Sequence, residues 1–193
     1  MESFLVSAGI VAVAEIGDKT QLLALLLAAR YRRPVPIIAG ILLATLANHA
    51  LAAWAGAALA GWLGPEILRY GLAVTFLAMA AWCLVPDRAD EGPQALRQAG
   101  AFLATLVAFF LLEIGDKTQL ATVALAARYT ALFPVIAGTT AGMLLANVPA
   151  VLFGERVTRL VPLKWIRLVA ALSLAILGLL ALLGVGMPAA LGG

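Results

Sequence analysis

Glu15-Ile16-Gly17-Asp18-Lys19-Thr20-Gln21-Leu22 recurs unchanged as Glu113-Ile114-Gly115-Asp116-Lys117-Thr118-Gln119-Leu120. Each copy lies inside a long apolar run, so four carboxylates and two lysines fall where a membrane segment is expected. A charged side chain at the centre of a bilayer helix costs about 3 kcal/mol, and such residues usually mark functional sites. The repeated octapeptide therefore indicates both the fold and the place of the function.

Composition places the chain among membrane proteins. Of its 193 residues, 64% are hydrophobic and only 12% are charged, whereas soluble domains have about 25% charged residues. The formal net charge of +3 does not indicate nucleic-acid binding, because the arginines lie between apolar segments and form no contiguous basic face. The single cysteine, Cys83, excludes an internal disulfide framework and is expected to be a core residue.

Six apolar runs have the length of about 20 residues that crosses a bilayer. Helices are expected rather than strands, because the runs do not alternate and a helix satisfies its own backbone in lipid. The first run is read as a span and not a signal peptide, since it has no basic start and ends in the octapeptide. The predicted spans are residues 3–29, 35–63, 67–85, 100–127, 132–153 and 165–187.

An offset of 98 residues aligns more than the octapeptides. It also matches Pro36 with Pro134 and Gly40 with Gly138, whereas Asn48 meets Asn147 only after a one-residue insertion. The repeating unit is three helices, and an odd number of crossings forces the second unit to enter the membrane from the opposite face. The predicted fold is an all-α integral membrane protein of six transmembrane helices in two inverted three-helix repeats.

The two repeats are predicted to occupy residues 1–85 and 100–193, joined by a charged cytoplasmic loop at 86–99. Orientation follows from the lysines and arginines between spans, because cytoplasmic loops carry an excess of them. Only Arg69 and Arg128 fall on one side, which is expected to be outside together with both termini. The cytoplasmic side holds Arg30, Arg32, Arg33, Arg88, Arg97, Arg156, Arg159, Lys164 and Arg167.

Both motifs are predicted to reach the middle of the membrane. In a continuous helix from Ser3, Glu15 lies about 18 Å along the axis, and the second motif reaches a similar depth from the other face. Asp18 and Lys19, three and four residues on, would share a helix face with Glu15. Gly17 and its counterpart Gly115 lower helix propensity, and a break there would free carbonyl oxygens as ligands.

The predicted ligand set consists of oxygen atoms, which hard divalent cations such as Ca²⁺ and Mn²⁺ prefer. Four carboxylates and two ammonium groups sum to minus two, so one divalent cation or two protons would neutralise the site. This balance suggests exchange of metal for protons. The lysines could hold the acids in the empty state, or extend toward an interface. The candidate ligands are Glu15, Asp18, Glu113 and Asp116, with Lys19, Thr20, Gln21, Asn48, Lys117, Thr118, Gln119 and Asn147 in support.

Purely structural roles are the alternative for each of these residues. The acids and lysines could be structural ion pairs, but apolar packing would stabilise helix contacts as well. His49 is expected to be a polar residue with satisfied hydrogen bonds near the cavity, rather than a soft ligand or a proton relay, because Val148 follows Asn147. The small-residue stripes around Gly56 and from Gly138 to Gly142 are expected to allow close helix packing.

Both motifs resemble the pattern E-x-G-D-(K/R)-(T/S) of uncharacterised protein family 0016, which includes the Golgi transmembrane protein 165 and bacterial manganese exporters. The resemblance covers nearly the whole chain. It implies a Ca²⁺/Mn²⁺:H⁺ antiporter and not an enzyme, with no cofactor besides the transported metal. Its ligands would be Glu15, Asp18, Glu113 and Asp116. The short N-terminus and central loop favour a bacterial inner membrane over an organelle.

The leading hypothesis is an alternating-access exporter that exchanges cytoplasmic Mn²⁺, or Ca²⁺, for protons. An exporter of a small organic cation such as a basic amino acid is the main alternative, and it predicts an aromatic lining. An intramembrane aspartyl protease built on Asp18 and Asp116 is less consistent, because the adjacent lysines and glutamates would disturb a dyad that shares one proton. A passive channel differs from an exchanger in having no dependence of flux on protons.

Overall fold

A computed structural model describes residues 1–85, 100–129, 131–153 and 163–184, and all regular structure in these ranges is helical. The all-α prediction is therefore confirmed for the described residues, while the predicted loop 86–99 lies outside them. The helices are α1 (Glu2–Glu15), α2 (Lys19–Tyr31), α3 (Pro34–Trp62), α4 (Pro65–Cys83), α5 (Ala101–Glu113), α6 (Lys117–Tyr129), α7 (Leu132–Phe153) and α8 (Leu163–Leu182).

The first and fourth predicted spans are each divided into two short helices at the octapeptide. After α1, Ile16 is extended and Gly17 adopts a φ of 80°; after α5, Ile114 is extended and Gly115 has a φ of 78°. Glycine adopts this left-handed region without a Cβ penalty. The predicted break is confirmed. The alternative geometry, with Glu15, Asp18 and Lys19 on one face of a continuous helix, is wrong.

Among the described residues, two helices have the length and hydropathy to cross a membrane, α3 with 29 residues and α7 with 22. Large apolar side chains also cover much of the outer surface of the described bundle. Trp54 is 68% exposed and Phe133 is 81% exposed. Such a surface is consistent with a lipid environment, since soluble proteins rarely expose large contiguous apolar patches.

The first helix of each half of the chain packs against the third helix of the other half. α1 packs along α7 and α5 packs along α3, while α4 packs against α8. A Cβ built on Gly40 in α3 would lie 2.8 Å from Thr105 Cβ in α5. A Cβ built on Gly138 in α7 would lie 3.0 Å from Ser7 Cβ in α1. Gly40 corresponds to Gly138, and Ser7 to Thr105, at the offset of 98 residues. The same contact therefore occurs at both of these helix crossings.

Close approach at small residues is thus confirmed. Gly142 lies against α1, where an added Cβ would be 2.9 Å from the backbone nitrogen of Ala12. Gly56 lies against α6, where an added Cβ would be 3.1 Å from Ala126 Cβ. Backbones that approach this closely have no room for a larger side chain.

The half-helices α2 and α6 differ in how deeply they are packed. Nine of the 13 residues of α6 are buried, against five of the 13 residues of α2. At the far end of α6 Arg128 is only 4% exposed, whereas the equivalent Arg30 of α2 is exposed. The two repeats therefore share the motif and the reciprocal contacts of α1 with α7 and of α5 with α3, but α6 is packed more closely than α2.

Candidate functional site

Each octapeptide forms the same turn between two helices. The backbone N–H of Asp18 donates to the carbonyl of Glu15 at 3.0 Å, and Asp116 repeats this bond to Glu113 at 3.1 Å. The Asp18 carboxylate also accepts from the N–H of Lys19 at 2.7 Å, which caps the start of α2. The motif acids therefore sit at helix ends, where α1 and α5 stop and α2 and α6 begin.

The motif glutamines support these turns. Gln21 Oε1 accepts from the N–H of Gly17 at 2.9 Å, and Gln119 Oε1 accepts from the N–H of Gly115 at 2.7 Å. Gln21 also donates from Nε2 to the carbonyl of Ala146 in α7 at 3.0 Å. The sequence predicts the glutamines as supporting oxygen ligands of a metal. In the structure their side-chain oxygens instead accept hydrogen bonds from the glycine backbone.

Three carboxylates from the two motifs converge at one point. Glu15, Glu113 and Asp116 each offer an oxygen, and these oxygens lie within 4.8 Å of one another. The two glutamates are fully buried and Asp116 is 1% exposed. Oxygens at this spacing can bind one hard cation, because ligands about 2.4 Å from a shared ion can lie up to about 4.8 Å apart. This cluster is the candidate metal site.

The motif lysines form ion pairs between the two motifs. Lys19 Nζ lies 2.9 Å from Asp116 Oδ1, and Lys117 Nζ lies 3.1 Å from Asp18 Oδ2. Each lysine thus pairs with the aspartate of the other copy, as the hypothesis of lysines holding the acids requires. Extension toward an interface is not observed. The pairing is also unsuited to an aspartyl protease dyad, because each aspartate faces an ammonium group and not a shared proton.

The predicted supporting residues make different contacts. Thr118 Oγ1 donates to Glu113 Oε2 at 2.9 Å, and Asn147 Nδ2 approaches Glu15 Oε1 at 3.4 Å. Asn48 Nδ2 instead donates to the carbonyl of Phe110 at 3.0 Å. Thr20 is buried, and its hydroxyl has no hydrogen-bond partner among the described residues. Thr118 and Asn147 therefore contact the carboxylate cluster directly.

His49 lies beside the carboxylates, in a contact that the sequence does not predict. Its Nε2 lies 3.8 Å from Glu113 Oε2, and both side chains are fully buried. Neither ring nitrogen has a hydrogen-bond partner within the described ranges, so the expectation of a satisfied histidine is wrong. The uninterrupted offset of 98 pairs His49 with Asn147, each beside the glutamate of the other half. The one-residue insertion that paired Asn48 with Asn147 was misplaced.

Three oxygens in or beside the cluster lack hydrogen-bond donors in the part of the chain that the structure describes. They are Glu15 Oε2, Glu113 Oε1 and Asn147 Oδ1. Buried polar atoms are normally hydrogen-bonded, and the exceptions call for an explanation such as an ion. Free lone pairs on buried oxygens are the ligands that a desolvated cation needs.

Comparison with known proteins agrees with this chemistry. A family model described as "Divalent cation/proton antiporter GDT1" matches residues 3–91 and 101–187. A protein of Vibrio cholerae serotype O1, described as "Putative manganese exporter", is 56% identical over 172 residues, which cover 89% of this chain and 86% of the relative. No solved structure matches the chain significantly.

Proposed function

Because this chain belongs to the divalent cation/proton antiporter GDT1 family, we propose that it exports Mn²⁺ from the cytoplasm in exchange for protons, with Ca²⁺ as a second candidate substrate. Family membership confirms the resemblance noted in the sequence. It also confirms that the chain is a membrane transporter of divalent cations and protons and not an enzyme. The observation that carries the proposal is the convergence of Glu15, Glu113 and Asp116.

Manganese is proposed as the cargo for two reasons. The relative from Vibrio cholerae is described as a "Putative manganese exporter", and carboxylate oxygen is a ligand type that suits Mn²⁺ as it suits Ca²⁺. A small organic cation fits less well, because oxygens within 4.8 Å of one another leave room for a bare ion. Glu15, Glu113 and Asp116 are the proposed direct ligands, and Asp18 is the fourth carboxylate that balances the charge.

The charge of the site supports exchange rather than simple passage. Four buried carboxylates and the two paired lysines leave a net charge of minus two, which either one divalent cation or two protons would cancel. A buried uncompensated charge is strongly unfavourable. The site is therefore expected to be stable when loaded with metal or with protons, and unstable when loaded with neither or with both. This preference for either metal or protons would couple the flux of metal to the flux of protons.

The proposed topology has six crossings in two inverted units. Residues 1–85 would form the first unit and residues 100–193 the second, with loop 86–99 and the other basic loops in the cytoplasm and both termini outside a bacterial inner membrane. The reciprocal packing of α1 on α7 and α5 on α3 supports a two-fold relation between the units. Transmembrane helices that are interrupted near the middle of the membrane are typical of transporter binding sites.

Alternating access is supported by the difference between α2 and α6. In the proposed orientation α6 lies in the outer half of the membrane and is packed tightly against α3, whereas α2 lies in the cytoplasmic half and is less buried. Lys19 at the start of α2 is 22% exposed, against 5% for Lys117. We assign this conformation to a state closed outside and more accessible from the cytoplasm.

The test is metal flux in proteoliposomes under an imposed pH gradient. We expect gradient-driven Mn²⁺ flux in the wild type, loss of flux in Glu15→Gln and in Asp116→Asn, and normal flux in Ser173→Ala on α8, a folding control away from the cluster. Unchanged flux in both carboxylate variants would overturn the site. Wild-type metal flux that ignores the proton gradient would favour a channel, and absence of metal flux would favour organic cations.

A further inference from the structure

The two halves of the site differ at one pair of equivalent positions. Asn147 approaches Glu15 Oε1 at 3.4 Å, whereas His49, its counterpart at the offset of 98, lies 3.8 Å from Glu113 Oε2. An amide oxygen and an imidazole nitrogen have different preferences for metals. Calcium binds oxygen ligands, whereas Mn²⁺, which also favours oxygen, is a first-row transition metal and accepts imidazole nitrogen as well.

We propose that His49 is a direct ligand of the transported Mn²⁺ through its imidazole nitrogen, and that this nitrogen makes the site select Mn²⁺ over Ca²⁺. The inference rests on the proposed function and deepens it, because it names the residue that distinguishes the two candidate cargoes. Without it, the cluster offers only oxygen atoms and has no chemical reason to prefer one of these ions.

Burial and distance favour a ligand over a structural histidine. The side chain is fully buried, and neither Nδ1 nor Nε2 has a hydrogen-bond partner among the described residues. A separation of 3.8 Å from Glu113 Oε2 exceeds hydrogen-bond length. Two ligand atoms that share one ion can be separated by up to about 4.8 Å, so His49 and Glu113 can bind the same cation. His49 does not belong to the group whose ligand atoms all lie within 4.8 Å of one another, so it would reach the cation from the Glu113 side of the site. A packing residue at this position would need no nitrogen.

Because His49 lies beside Glu113 and Asn147 lies beside Glu15, the proposed preference for Mn²⁺ over Ca²⁺ arises on the Glu113 side of the site. Asn147 donates from Nδ2 to the carbonyl of Met143 at 3.1 Å, which leaves its Oδ1 as the atom without a partner in the described part of the chain. The Glu15 half thus presents oxygen, and the Glu113 half presents oxygen and nitrogen. Substituting His49 by asparagine would give both halves the same donors.

The chain has one histidine, which permits a direct spectroscopic test. The full chain, purified through a tag without histidine and loaded with Mn²⁺, is measured by pulsed electron paramagnetic resonance. We expect a ¹⁴N imidazole coupling in the wild type that becomes a ¹⁵N coupling when the histidine is ¹⁵N-labelled, and that is lost in His49→Asn. Absence of the coupling in the wild type would overturn the inference, whatever the variant does.

The second readout is competition between the two metals. In His49→Asn we expect the ratio of Mn²⁺ to Ca²⁺ affinity to fall at least about tenfold, through weaker Mn²⁺ binding and Ca²⁺ binding that is unchanged or stronger, while Ser173→Ala keeps the wild-type ratio. An unchanged ratio would overturn the selectivity role. If the wild type moves no Mn²⁺ the proposed function fails, and the coupling still decides whether His49 binds the metal. If it moves Mn²⁺ without the coupling, only the present inference fails.

Discussion

Lys19 of the first motif pairs with Asp116 of the second, with 2.9 Å between Nζ and Oδ1. The reciprocal ion pair joins Lys117 Nζ of the second motif to Asp18 Oδ2 of the first, at 3.1 Å. Asp116 is also one of the three carboxylates that converge. We therefore expect a metal ion that binds there to compete with Lys19 for the Asp116 side chain.

Replacing this lysine is expected to tighten metal binding and slow transport. Lys19→Gln removes a positive charge next to the cluster, and one unit charge at about 4 Å is worth several kcal/mol in a partly buried site. Because hydrogen bonding by the glutamine offsets part of this, we expect Mn²⁺ affinity to rise about tenfold, or about 1.4 kcal/mol. Turnover should fall, since release becomes slower. Titration calorimetry and initial flux rates measure the two effects.

Lys117→Gln is the matched variant, because it removes the equivalent charge from beside Asp18, which is not among the three converging carboxylates. We expect a smaller gain in affinity there. Weaker Mn²⁺ binding in Lys19→Gln would show that the lysine orients the acids and does not compete with the metal.

The turn at Gly115 provides a second prediction. Its φ of 78° lies in the left-handed region, and an added Cβ would meet no atom within 4 Å. The cost of Gly115→Ala is therefore backbone strain alone, about 1–2 kcal/mol. Because the turn positions Asp116, we expect a lower Tm together with a large loss of Mn²⁺ flux.

Gly115→Asn is the control for that variant, since asparagine tolerates the left-handed conformation. It should retain more stability and more flux than Gly115→Ala, although its side chain is larger. Equal losses in the two variants would mean that bulk, and not backbone conformation, is the constraint at this position.

The crossing of α3 and α6 at Gly56 gives a third prediction. An added Cβ would lie 2.9 Å from the carbonyl carbon of Val123, whereas at Gly61, on the same helix, it would meet no atom within 4 Å. Helix propensity favours alanine by up to about 1 kcal/mol at both positions. Overpacking costs about 1–3 kcal/mol, so we expect Gly56→Ala to lower Tm and Gly61→Ala to leave it unchanged or higher.

The same pair of variants tests the proposed movement. If α6 must separate from α3 to open the outer side, Gly56→Ala should favour the open arrangement and change the rate of Mn²⁺ flux, while Gly61→Ala should not. Equal Tm values and equal rates in the two variants would argue against a tight α3–α6 contact.

The helical class and the helix breaks could be predicted because they depend on local chemistry. The apolar runs require helix, and Gly17 and Gly115 stand where the backbone turns. The partner of Lys19 could not be predicted. The two octapeptides are identical, so the sequence offers the same aspartate within the motif and across it, and only the packing of the halves decides between Asp18 and Asp116.

The contact of His49 with Glu113 could not be predicted for a related reason. Matching asparagine with asparagine favoured an alignment by identity, with a one-residue insertion at Asn48. Packed helices retain a constant register, so the uninterrupted offset of 98 gives the true equivalence of His49 and Asn147 even though their side chains differ. Chemical asymmetry within a structural repeat is visible only when the alignment follows geometry.

Proton release on metal binding is the fourth prediction. A carboxylate must be deprotonated to bind a cation, so metal affinity rises with pH and binding releases protons. If one divalent ion replaces two protons, Mn²⁺ affinity should rise by up to about a hundredfold per pH unit over the range in which the site is protonated. Calorimetry in two buffers of different ionisation enthalpy counts the protons released, and Asp116→Asn should release about one fewer. A Mn²⁺ affinity that does not change with pH would contradict exchange at a shared site, because a cation and protons that bind the same carboxylates must compete.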